Sequence, residues 1–181
     1  HLTEQQYRNI IADVFGEHII VSGSFDPIPR QGGLTAIGAG RATISASSFD
    51  KYEKLAYSIA EQVVSESNRS LYIQCKPVQL DQPDDACARS FLKPVGRLLF
   101  RRPLDPAEIT QAVVLSNRAS ETLGNFYDGL AFGLASLLVN PKFLFIIDEL
   151  EEQPDGTIAL SDYAMASRIS FFFWNTTPDP E

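Results

Sequence analysis

Cys75-Lys76-Pro77, then Cys87-Ala88-Arg89-Ser90-Phe91-Leu92, then Phe100-Arg101-Arg102-Pro103-Leu104: this stretch holds both cysteines of the chain, opens a helix and closes it. Asp84 or Asp85 supplies the cap, and the Arg-Arg-Pro run ends the helix with positive charge at its C-terminal turn and a residue that cannot continue it. Pro94 lies inside and is expected to kink or split the helix. The two cysteines, twelve residues apart, admit a disulfide, two free core thiols or half of a metal site. A zinc site takes about four ligands, and the only histidines are His1 and His18. The spacer rich in proline and aspartate (Pro77, Asp81, Pro83, Asp84, Asp85) is a loop able to bring the sulfurs together. A Cys75–Cys87 disulfide is therefore the expected state. It would contribute about 3 kcal/mol in the chain-entropy model and imply an oxidising compartment.

Upstream, Thr3 caps a helix over 4–15, with Tyr7, Ile10, Ile11, Val14 and Phe15 on one face and Gly16 at its stop. Residues 17–47 are glycine-rich, with short apolar runs at Ile19-Ile20-Val21 and Thr43-Ile44. They read as a long ordered loop with two short strands, its Gly32-Gly33 and Gly38-Ala39-Gly40 clusters as turns. Loops of that length are often functional, which makes this one a candidate ligand or partner surface. Ser48 caps a second helix over 49–65, with Tyr52, Leu55, Ala56, Ile59 and Val63 as its buried stripe, and Leu71-Tyr72-Ile73 reads as extended.

Downstream, Asp105-Pro106 with Glu108 three residues on is a strong helix start and predicts a helix over 106–123. Asn125 or Phe126 opens the next, whose apolar positions (Leu130, Phe132, Leu134, Ala135, Leu137, Leu138) cover most of its surface. Such a helix is buried, so it is the expected centre of the core, and Asn140-Pro141 ends it. Residues 143–147 and 157–160 are expected to pair as a hairpin around Asp155-Gly156, and Ser161 caps a last helix over 162–174. The fold class is mainly α: about six helices around a buried central helix, a long Gly-rich loop and a minor β-hairpin. It divides into an N-terminal helix–loop–helix domain (1–68), a Cys-containing helical domain (69–142) and the start of a third helical domain (143–181).

The 181 residues carry a net charge of -8. That argues against nucleic-acid or anionic-membrane binding, both of which need a basic surface. No apolar run reaches the roughly 20 residues that span a bilayer; the longest candidate, 130–147, is broken by Asn140-Pro141-Lys142. The chain opens on His1 rather than Met and closes seven residues after Phe171-Phe172-Phe173-Trp174. It therefore reads as a mature or clipped piece, a fragment or one subunit, whose last apolar cluster wants more chain or a partner to cover it.

Several residues are candidates for chemistry. Arg101 and Arg102 can present an anion or carboxylate site; the favoured reading is charge complementing a helix C-terminus. Arg168, on an otherwise apolar helix, is expected to be buried and paired with Asp162 or Glu149. Asp148, Glu149 and Asp155 belong to an acidic run that could hold calcium but lacks the spacing of a calcium loop, so a solvated turn is favoured. His18 is a candidate haem ligand or base, and His1 a candidate copper chelator; both read more simply as loop and helix-entry residues. Tyr7, Tyr52, Tyr57, Phe126, Tyr127, Phe132, Phe172 and Trp174 can line a redox cofactor, but at helical spacing they read as core. No Gly-x-Ser-x-Gly elbow and no Gly-rich phosphate loop leading into a helix is present, and no catalytic residue is assigned.

The order of blocks resembles the planctomycete-type PSD domain series. Leu2-Thr3-Glu4-Gln5-Gln6-Tyr7-Arg8-Asn9 with Asp13-Val14-Phe15-Gly16 is similar to its opening helix, and 47–60 to the helix closing that first domain. Cys87-Ala88-Arg89 through Phe100-Arg101-Arg102-Pro103-Leu104 is similar to the second domain's signature. Asn140-Pro141-Lys142-Phe143-Leu144-Phe145, Asp162 to Ser170, Phe173-Trp174 and Pro178-Asp179 are similar to the start of the third. In that series the domains precede a cytochrome-c-like region. The resemblance therefore implies a periplasmic or cell-surface protein, a module or subunit of a cytochrome-c-linked oxidoreductase or electron-transfer assembly, itself without the reactive centre. The chain has no Cys-x-x-Cys-His. No cofactor is expected within it; haem c, and any oxidoreductase activity, would lie in a missing segment or in a partner chain such as a c-type cytochrome. The competing reading is a non-redox scaffold module that binds polysaccharide or a structural protein through 17–47.

Overall fold

Side chains that accept from the first backbone N–H groups set where each helix begins. The computed structural model describes residues 1–27, Gly32 and 45–179. In α1 (Glu4–Phe15), Thr3 Oγ1 accepts from the Gln6 N–H at 3.2 Å while Gln6 Oε1 accepts from the Thr3 N–H at 2.9 Å. α2 (Ala46–Val64) is capped by Ser45, whose Oγ accepts from the Ser48 N–H at 3.1 Å. Ser48, the expected cap, sits inside the first turn and donates its hydroxyl to Asp26. A tertiary partner thus decides between neighbouring serines that are locally equivalent.

α3 (Arg69–Tyr72) is a single helical turn where an extended segment was expected; only Ile73 is extended, its N–H closing the turn onto the Arg69 carbonyl at 2.7 Å. α4 (Asp85–Phe100) begins with Asp84 Oδ1 accepting from the Cys87 N–H at 2.9 Å and runs through Pro94 without a break. Proline removes one helical donor, but burial of Phe91 and Leu92 before it and Leu99 and Phe100 after it holds both halves to the same core. In α5 (Pro106–Leu123), Glu108 Oε2 accepts from the Asp105 N–H at 2.8 Å. α6 (Phe126–Leu138) starts at Asn125, whose Oδ1 accepts from the Tyr127 and Asp128 N–H groups at 2.9 and 3.2 Å.

α7 (Pro141–Leu144) is a turn begun by Asn140, with Phe143 and Leu144 buried. It occupies part of the segment expected to be the first strand of the hairpin. The hairpin is instead β1 (Leu150–Glu152) against β2 (Ile158–Leu160), antiparallel, with Leu150 opposite Leu160 and Glu152 opposite Ile158. Its register follows from a tight turn: Gly156 takes φ 81° and the Gln153 N–H bonds the Thr157 carbonyl at 2.8 Å. α8 (Asp162–Phe173) is capped by Ser161, whose Oγ accepts from the Ala164 N–H at 3.2 Å. The chain is mainly α: among the described residues there are eight helices, two of them single turns, and one hairpin.

α6 is the centre of the core. Phe126, Leu130, Leu134 and Leu138 are fully buried between α2, α5 and α4. Closest approach to α5 requires glycine: a Cβ on Gly129 would lie 2.0 Å from Ser120 Oγ and 2.5 Å from the Ser120 backbone nitrogen. Ile19-Ile20-Val21, expected as a strand, pairs with a side chain instead: Gln62 Oε1 accepts from the Ile20 N–H and Gln62 Nε2 donates to its carbonyl, both at 2.9 Å. The strand expected at Thr43-Ile44, the turns at Gly33 and Gly38-Ala39-Gly40, and most of the 17–47 surface lie outside the described residues.

Candidate functional site

The candidate residues collect around the C-terminal end of α4, where α7, the hairpin and α8 converge. Arg101 takes the C-cap position with φ 60°, which turns its side chain back under the helix end. The side chain is 7% exposed, and its guanidinium donates to four backbone carbonyls. Nη1 reaches the oxygens of Leu99 and Phe143 at 3.1 and 3.3 Å; Nη2 reaches those of Lys142 and Phe145 at 2.8 and 2.7 Å. The last carbonyls of α4 and of α7 thus share one cation, which is the favourable placement of charge at helix C-termini. Burial pulls its pKa down to about 10, well above neutrality, so the charge stays.

Arg102 points the other way, into carboxylates. Its Nη1 and Nη2 pair with the two oxygens of Glu108 at 3.0 and 2.8 Å, and its Nε donates to Glu149 Oε1 at 3.0 Å. The hydrogen bonds to Glu108 raise its pKa further. Partial burial works against the charge on Glu108, but bonds from Arg102, Lys142 and the Asp105 N–H outweigh it and bring its pKa to about 2. These donors are spent on protein partners, so the Arg101–Arg102 pair joins α4, α5, α7 and Glu149 just ahead of β1 rather than displaying a forked anion site. A cleft of about 380 Å³ lies beside it between α4 and α8, lined among others by Arg97, Arg102, Asp162, Tyr163 and Asp179. Its charges are of both signs.

Arg168 departs from expectation. It is half-exposed, and its partner is Asp148, reached by Nε at 2.8 Å and by Nη2 at 2.5 Å, not Asp162 or Glu149. The reason is that none of the described residues covers the outer face of α8. The residues named as possible metal ligands are not brought together. Asp148 serves Arg168, Glu149 serves Arg102, and Asp155 Oδ1 accepts from Thr157 Oγ1 and N at 2.6 and 2.9 Å. His18 Nε2 lies 2.7 Å from the Tyr72 hydroxyl with the two rings stacked. His1 Nδ1 lies 2.7 Å from the Leu2 carbonyl and its ring meets Phe145 edge-on. Among the described residues no group of three or more His, Cys, Asp or Glu side chains is placed to hold a metal ion.

Cys75 and Cys87 form a disulfide with Cα atoms 5.5 Å apart, tying the chain after α3 to the first turn of α4. Neither thiol is free. Covalent haem attachment uses thiols, so these residues do not fit a resident haem c.

The feature that sequence reasoning misplaced is α8. Tyr7, Tyr52 and Phe126 are in the core as read, whereas Phe132 is 40%, Phe172 81% and Trp174 67% exposed. The buried face of α8 is small: Ala164, Ser167 and Ser170, with Phe171 alone of this helix joining the main core. Its exposed face carries the bulk, with Met165 and Ile169 each 46% exposed and Phe172 and Phe173 beyond them. Met165, Ile169 and Phe172 are spaced i, i+4, i+7, one continuous stripe. The signal was present: large residues at 165, 169 and 172 and small ones at 164, 167 and 170 fall on opposite faces. The helix is held at both ends: just before its start the Ser161 N–H bonds the Glu149 carbonyl at 2.8 Å, and the segment after its end is tied down as well. Ser170 Oγ donates to the Thr176 carbonyl at 2.9 Å, Asn9 Nδ2 to the Asn175 carbonyl at 3.1 Å, and Thr176 Oγ1 to Asp13.

A mainly helical, disulfide-tied chain with an ion-paired joint and one outward-facing apolar helix is the class of protein this geometry defines. Residues 87–148 match the family model described as PSD5, protein of unknown function (DUF1595). That stretch, from the first turn of α4 to Asp148 ahead of the hairpin, is similar to a PSD-type domain over about a third of the chain and spans α4 to α7 with the Arg101–Arg102 joint. No curated protein and no solved structure matches the chain. No helix among the described residues is long and apolar enough to cross a membrane, and the disulfide fits an oxidising compartment.

Proposed function

We propose that this chain is a structural module of a periplasmic or cell-surface assembly linked to a c-type cytochrome. The haem is carried outside these residues, by the remainder of the polypeptide or by another subunit. The observation that carries the docking part of this reading is the inverted burial of α8. Large apolar side chains on a helix anchored at both ends form a preorganised surface, and apolar patches of this kind mark interaction sites. A stripe at i, i+4, i+7 is the spacing by which a helix seats in an apolar groove. The cytochrome part rests on the resemblance to the PSD series, and the extracytoplasmic part on the disulfide and that resemblance.

The test is the absorbance spectrum of the complex purified under non-reducing conditions from its source, read together with the emission of Trp174, the single tryptophan of the chain. The expected result is a haem band in a co-purifying polypeptide or in a longer form of the chain, with Trp174 emission blue-shifted relative to the isolated 181 residues. No haem band in any partner polypeptide overturns the cytochrome link. Unchanged Trp174 emission overturns α8 as the docking face.

A further inference from the structure

We draw no further inference here: the strongest candidate, the groove of about 480 Å³ where the end of α2 and the turn α3 meet the start of α6, is an acidic cluster of Glu61, Glu66 and Asp128 beside Tyr57 and Tyr127, and nothing in the structure shows what would fill it.

Discussion

α6 and α8 are both apolar helices of similar length, and the fold treats them in opposite ways. α6 is covered by α2, α5 and α4 and buries Phe126, Leu130, Leu134 and Leu138 completely. α8 turns its small residues inward and leaves Met165, Ile169, Phe172, Phe173 and Trp174 in solvent. α8 carries more polar residues than α6, but composition alone does not set which face is buried. The order of large and small residues around the axis does: in α6 glycines line the closest crossing, at Gly129 and Gly133 against α5, and large residues fill the space beyond. In α8 the small residues and Phe171 face the fold, and the remaining large residues stay exposed.

The contrast is open to breakage at its strong end first. Leu134→Ala in α6 is expected to cost about 2–5 kcal/mol of unfolding free energy, the range for a fully buried leucine, read from the urea midpoint. A loss below 1 kcal/mol would mean the centre of the core lies elsewhere. Opening the disulfide comes next: Cys75→Ser with Cys87→Ser should lower stability by about 3 kcal/mol, and a reductant should lower the wild type by the same amount and the double variant not at all. At the joint, Arg101→Met removes the donor to four buried carbonyls and is expected to cost about 2 kcal/mol, with no rescue by Arg101→Lys, whose ammonium cannot span both helix ends.

The acid response sharpens the same picture. The folded-state pKa of Glu108 is depressed from 4.5 to about 2. Its contribution is therefore complete above the ordinary value and is lost as pH falls from about 4.5 towards 2. The melting temperature of the wild type should drop across that window, and Glu108→Gln, already less stable at neutral pH, should drop less. The smallest effect belongs to α8. Phe172→Ser is expected to leave the stability of the isolated chain within about 0.5 kcal/mol while abolishing association with the proposed partner. A large loss of stability in the isolated chain would show that Phe172 already has a partner.

Most helix boundaries were legible because the signals are local. Thr3 with Gln6, Asp84, Asp105-Pro106 with Glu108, Asn125 and Ser161 each act on N–H groups two or three residues away. What was not legible depends on distant groups. Ser45 rather than Ser48 caps α2 because Asp26 engages Ser48. Of the two adjacent arginines, Arg101 goes inside because the C-cap turns it under α4, which no spacing rule foretells. Arg168 chose Asp148 over two other acids because α8 lies open on that side. The disulfide was legible as the favoured of three readings. The exposed face of α8 is half legible: the apolar cluster at 171–174 calls for cover, but the helical spacing of Phe172 and Trp174 reads as core, whereas both are exposed.

The buried Arg101 has a consequence for protease digestion. Trypsin cuts after arginine but not before proline, so in the pair Arg101-Arg102-Pro103 only the bond between the two arginines can be cut. That bond is out of reach while Arg101 holds the carbonyls of Leu99, Lys142, Phe143 and Phe145. Cleavage there has to wait for local opening. The time at which the Arg101–Arg102 peptide bond is cut is therefore a clock for how often α4 and α7 come apart, and docking on the neighbouring α8 should slow it.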